Sequence, residues 1–93
     1  MLEKDEIRRV ATSILCRKSI NYEIIDSKST ESMYLIIKND VTSLMIRFSD
    51  HTSSKNIRSF GVNKKYATRE NVERFINNAI RSLSIKTVYQ VLA

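Results

Sequence analysis

The chain has 93 residues, 42% of them hydrophobic and 28% charged, with a net charge of +6, one glycine and no proline. That balance excludes a disordered chain, and the length supports one domain, residues 1–93, around a single modest core. So little glycine and proline leaves few tight turns, which favours long regular elements over a many-stranded sandwich.

The charge is unevenly placed. Residues 1–40 hold seven Lys/Arg against seven Asp/Glu, whereas residues 41–93 hold nine against three, so the whole excess lies in the second part. A one-sided positive field of this kind attracts phosphate or an acidic partner. Cys16 has no second cysteine to pair with, which fits a reducing compartment. Residues 1–20 carry charges throughout and contain no apolar run of signal or membrane length, so a cytoplasmic protein is expected, with no membrane partner.

The first element is a helix over Glu3–Lys18. Ile7, Val10, Ala11, Ile14 and Leu15 repeat at helical spacing, with acids in the first turn and Arg17 and Lys18 in the last. Asn21–Asp26 alternates as a strand, and the polar run Ser27–Ser32 follows as a connection. Met33–Lys38 and Thr42–Ser49 are two further strands, separated by Asn39-Asp40-Val41 and therefore paired antiparallel. Met33, Leu35, Ile37, Leu44, Ile46 and Phe48 line the inner face. Ile25, Tyr34, Ile36 and Met45 leave apolar surface on the other, which a partner or a second copy of the chain would cover.

Ser49–Asn56 has no aliphatic residue and reads as a surface loop. A short strand is expected at Ile57–Val62, then a basic turn over Asn63–Tyr66. A second helix starts at Thr68, a good N-cap. Its stripe is Val72, Phe75, Ile76, Ala79, Ile80 and Leu83, and residues 87–93 have the spacing to add a turn or two. The expected fold is α+β: an antiparallel sheet of three to four strands with two helices packed on one face.

Catalytic chemistry finds little material. His51 and Cys16 are single, so no zinc set assembles, and Ser49, Asp50 and His51 are chain neighbours that cannot take up relay geometry. One glycine excludes a phosphate-cradling loop, and no paired carboxylates stand out. A non-enzymatic protein without cofactor or metal is expected. Binding has more to offer. Lys55, Arg58, Lys64, Lys65 and Arg69 fall within fifteen residues that contain no acid, and Arg74 and Arg81, seven apart, extend the basic face along the helix. His51 and Tyr66 could add stacking.

Two resemblances follow. The order helix–strand–strand–strand–helix, with Tyr22-Glu23-Ile24 opening the first strand and Asn63-Lys64-Lys65 before the second helix, resembles the double-stranded-RNA-binding domain. It implies lysines gripping phosphates at that helix start. The family's glycine-rich approach to the final helix is reduced here to Gly61, and its alanine-rich helix carries Asn77 and Asn78. Second, Ser27–Tyr34 followed by Ile46-Arg47-Phe48-Ser49-Asp50-His51 resembles a pattern in small proteins of phages and mobile elements, among them basic anti-CRISPR proteins that inhibit the RNA-guided nuclease of type II systems. That resemblance implicates Tyr34, Arg47, Asp50 and His51. The functional expectation is thus a small phage-type protein that docks a basic face on nucleic acid or on a nucleoprotein such as a CRISPR effector, acting by occlusion. A double-stranded-RNA-type binding module and a protein-interaction or homodimerisation domain are the alternatives.

Overall fold

A computed structural model describes residues 2–26, 33–49, 57–61 and 67–92. The order is α1 (Lys4–Arg17), β1 (Asn21–Asp26), β2 (Met33–Lys38), β3 (Ser43–Phe48), β4 (Arg58–Phe60) and α2 (Arg69–Leu92), an α+β fold.

Local chemistry sets the ends of α1. The Glu3 N–H donates to Glu6 Oε1 at 3.3 Å, satisfying one backbone donor at the start. At the other end Ser19 takes φ 56°, its N–H donating to Cys16 O and that of Ile20 to Leu15 O. This is the Schellman arrangement, with serine where glycine is usual. Because a side chain in the left-handed region costs about 1 kcal/mol or more, Ser19→Gly is expected to stabilise the fold by roughly 0.5–1 kcal/mol in urea unfolding. No gain in the midpoint would mean that the serine side chain is compensated in place.

β1, β2 and β3 form an antiparallel meander in which Ile24 faces Leu35 and Leu35 faces Ile46. Strict alternation in β2 puts Met33, Leu35 and Ile37 fully inside, and Ile46 and Phe48 continue that face. β4 departs from the antiparallel expectation: it pairs parallel to β3, Ile46 opposite Arg58 and Phe48 opposite Phe60, so the sheet is mixed. The physical reason lies in the spacing. Nine residues separate Phe48 from Arg58, more than a hairpin needs, and their reach covers the two-residue step back to the level of Ile46 that the parallel register requires.

Both helices lie on the inner face and share one core, in which Ile7, Val10, Ala11, Ile14 and Leu15 of α1 meet Val72, Ile76, Ala79 and Leu83 of α2. The helices start side by side. Leu2 N–H donates to Ala67 O at 2.7 Å, and Leu2, Glu6 and Arg9 share a cleft with Arg69. The end of α1 (Ile14, Arg17, Lys18) reaches Glu73 and Asn77. The two therefore run roughly parallel, and α2, with 24 residues against 14, continues well past its neighbour.

Thr68 caps α2 as expected, its Oγ1 accepting the Asn71 N–H at 3.2 Å. The helix then runs unbroken to Leu92, longer than the stripe ending at Leu83 implies. Nothing in its sequence stops it, since glycine and proline are absent after Gly61. The hydroxyls of Ser82, Ser84 and Thr87 bond back to carbonyls four residues earlier, which spends their hydrogen bonds within the helix. At about 36 Å, α2 spans the longest dimension of the molecule, 40 Å. Its late turns are fastened to the β2–β3 turn, where Asn39 Nδ2 donates to Thr87 Oγ1 at 2.8 Å and Lys86 Nζ to Ser43 O at 2.7 Å. Asn39 also shapes that turn, its Oδ1 accepting the N–H groups of Val41 and Thr42.

Candidate nucleic-acid interface

The candidates divide between two surfaces. Tyr34 and Arg47 are direct cross-strand neighbours on the sheet face that the helices leave bare. Arg69, Arg74 and Arg81 belong to the helical layer, and Arg58 stands on the edge strand β4. Asp50, His51, Lys55, Lys64 and Lys65, like Tyr66, lie outside the described residues.

Arg47 is not an open docking cation. It is only 8% exposed, and its Nε donates to Ser59 Oγ at 3.2 Å, in the register that places Ser59 beside it. A buried guanidinium committed to a neighbouring strand fastens β3 to β4, and removing it would strand polar groups inside. Tyr34, half-buried opposite it, packs on the same bare face, where Ile25 and Met45 are exposed.

The helical layer is the more open of the two. Arg58, Arg69, Arg74 and Arg81 are all exposed. Arg74 shares an i,i+4 ion pair with Glu70 at 3.3 Å, a solvent-exposed contact of small energetic weight that still leaves the guanidinium accessible. Arg74 and Arg81 fall on one side of α2, about 10 Å apart along its axis. After Glu73 the helix has no acid at all, so Arg81 meets no competing carboxylate on its own element.

The described residues next to the remaining candidates are adjacent in space. The N–H of Ser49, where β3 ends, donates to the carbonyl of Phe60, where β4 ends, at 2.9 Å. One of these ends leads on to Asp50, His51 and Lys55, the other to Lys64 and Lys65, and the second rejoins the described chain at Ala67, just before Arg69.

Arg9 lies off the apolar stripe of α1 and is exposed. The parallel placement of the helices gives Arg9 a further part. With Arg69, Glu6 and Ser13 it lines an open cleft of about 310 Å³ between the two helix starts, so the basic surface continues from α2 across to α1. Only the mutual orientation of the helices reveals this, and no sequence spacing encodes it.

Among the described residues no three His, Cys, Asp or Glu side chains cluster to hold a metal. Cys16 Sγ lies 3.8 Å from the Tyr22 hydroxyl, and that contact, with some desolvation, raises the phenol above its ordinary value of 10.0. The phenol is therefore protonated at neutral pH. No helix among the described residues is long and apolar enough to cross a membrane. The chain matches no family model, no curated protein and no solved structure.

Proposed function

We propose that this protein binds nucleic acid, free or within a nucleoprotein, through the basic surface formed by the outer side of α2, the edge strand β4 and the two connections that leave their shared end of the sheet. The observation that carries this reading is charge placement. Residues 41–93 carry nine basic residues against three acidic ones, and among the described residues of that stretch Arg58, Arg69, Arg74 and Arg81 are exposed. A polyanion meeting such a surface releases condensed counterions, and the entropy of that release drives binding. Recognition then rests on phosphate contacts, which position the ligand without reading its sequence.

The test is a salt titration of binding to labelled duplex RNA, duplex DNA and single strands. If about four to six cations contact phosphate, log K falls with log salt at a slope of roughly −4 to −5 on duplex DNA. An absence of binding to all three probes at low salt would sink the reading for free nucleic acid. A nucleoprotein target is tested separately, by cleavage assays with RNA-guided nucleases at near-stoichiometric protein. The resemblance around Arg47–His51 motivates that choice, and undiminished cleavage across several type II enzymes removes it.

A further inference from the structure

The outer side of α2 changes character halfway along. Arg74, Asn78 and Arg81 occupy it first; then Ile85, Val88, Tyr89 and Leu92 take over at i, i+3, i+4 and i+7. This second apolar stripe lies on the opposite side of the helix from Val72, Ile76, Ala79 and Leu83, which fill the core. The four side chains are 52%, 56%, 72% and 77% exposed, and Val91 beside them is 67% exposed. They are bare because this side of α2 faces away from the core that the sheet and α1 share with it.

We infer that this stripe is a homodimer interface, in which the last two turns of α2 from two copies pack antiparallel across a two-fold axis. Two features select a second copy as the occupant. The first is area. The four stripe side chains present on the order of 500 Å² of apolar surface, within the range of the largest patch on a monomer. Pairing two such patches buries roughly 1,000 Å², the size at which a specific interface begins. An isologous contact also needs a self-complementary surface, and an i, i+3, i+4, i+7 stripe packs against itself as a short coiled-coil seam.

The second feature is charge. The last described turn of α2 contains no basic residue, so its carbonyls have no cation of their own turn beside them. With the two-fold midway between Ile85 and Leu92, Arg81 lies about 11 Å from the axis and the partner's Leu92 about 5 Å on the same side. The offset of roughly 6 Å along the axis is about one helical turn, so each Arg81 lies on the side of the pair where the carbonyl end of the other helix favours a positive charge. A parallel pair would instead set the two Arg81 together and the two negative ends together.

Sedimentation equilibrium of the full chain at up to about 200 µM tests this, a range well above the roughly micromolar Kd of an interface at the small end of the specific class. The expected mass is twice the 10.8 kDa of the chain. Val88→Glu, at a position already exposed in the single copy, should return it to one chain with an unchanged far-UV spectrum. Met45→Glu, on the bare sheet face, should leave the doubled mass. Orientation is read by mixing Ile85→Cys protein with Leu92→Cys protein, both lacking Cys16. Disulfides between the two species support the antiparallel pair, whereas disulfides only within each species overturn it. A single-chain mass at every concentration, or a dimer that survives Val88→Glu, overturns the interface itself.

Discussion

Replacing Phe48 with alanine is expected to lower unfolding stability by about 3–5 kcal/mol. The ring is fully buried and is the hub of an aromatic trio, with centroids 5.9 Å from Phe60 and 5.4 Å from Phe75, the latter edge-on. Phe60 and Phe75 are themselves 5.4 Å apart, so each ring touches the other two. Truncation removes the transfer energy of the largest side chain in the core and leaves a cavity that three different elements line. It also forfeits two aromatic contacts worth about 0.5–1.5 kcal/mol each beyond area. A domain of this length has a total stability of roughly 5–14 kcal/mol, so the variant should show a sharply lowered urea midpoint.

The same ring decides whether β4 exists. That strand has only three residues, and its inward anchor is Phe60. Phe48→Leu keeps most of the volume and should cost much less, about 1–2 kcal/mol. A loss below about 1 kcal/mol for Phe48→Ala would show that the core collapses around the gap and that the trio is not the hinge of sheet and helix.

Much of this architecture is legible in the sequence, because burial on one face imposes a period. The stripe Ile7, Val10, Ala11, Ile14, Leu15 and the alternation Met33, Leu35, Ile37 mark buried positions correctly, since nothing else satisfies both spacing and hydrophobicity. The Thr68 cap is equally plain, a local hydrogen bond with a local signature. The direction of β4 is not legible: three residues hold too little alternation to fix a register, and parallel pairing depends on the path of the chain between strands. Arg47 misleads for a related reason. Alternation assigns it outward correctly, but whether an outward arginine meets water or a neighbouring strand is a tertiary fact. The stripe Ile85–Leu92 is visible as spacing, yet its orientation opposite the core emerges only once α2 is a single continuous helix. Of the candidate site, Arg58 on β4 and Arg69, Arg74 and Arg81 on α2 are exposed, whereas Tyr34 and Arg47 belong to the sheet face away from the helices, and the charge count alone cannot separate the two groups.

The largest functional effect is expected from reversing the two lysines just before α2. In the counterion-release description each phosphate contact contributes about 0.9 to the salt slope, and so about 0.9 logarithmic units to affinity at roughly 0.1 M salt. Losing the contacts of Lys64 and Lys65 would thus weaken duplex binding about 60-fold and flatten the slope by about two. Lys64→Glu with Lys65→Glu should exceed that, because each glutamate adds a repulsive charge beside phosphate. Arg17→Glu supplies the control, an exposed charge at the end of α1 and away from the start of α2. Its affinity should change only several-fold, through the loss of net charge. Equal losses in the two variants would show that binding follows net charge and that no local patch exists. A large loss for the lysine pair alone, with the slope reduced by about two, would locate the phosphate contacts at the entrance to α2, at the end of the molecule opposite the apolar turns Ile85–Leu92. Nucleic-acid binding would then centre on the start of α2 and self-association on its last two turns, with Arg81 at the border between them, and a dimer would present two basic surfaces, raising avidity without any new contact.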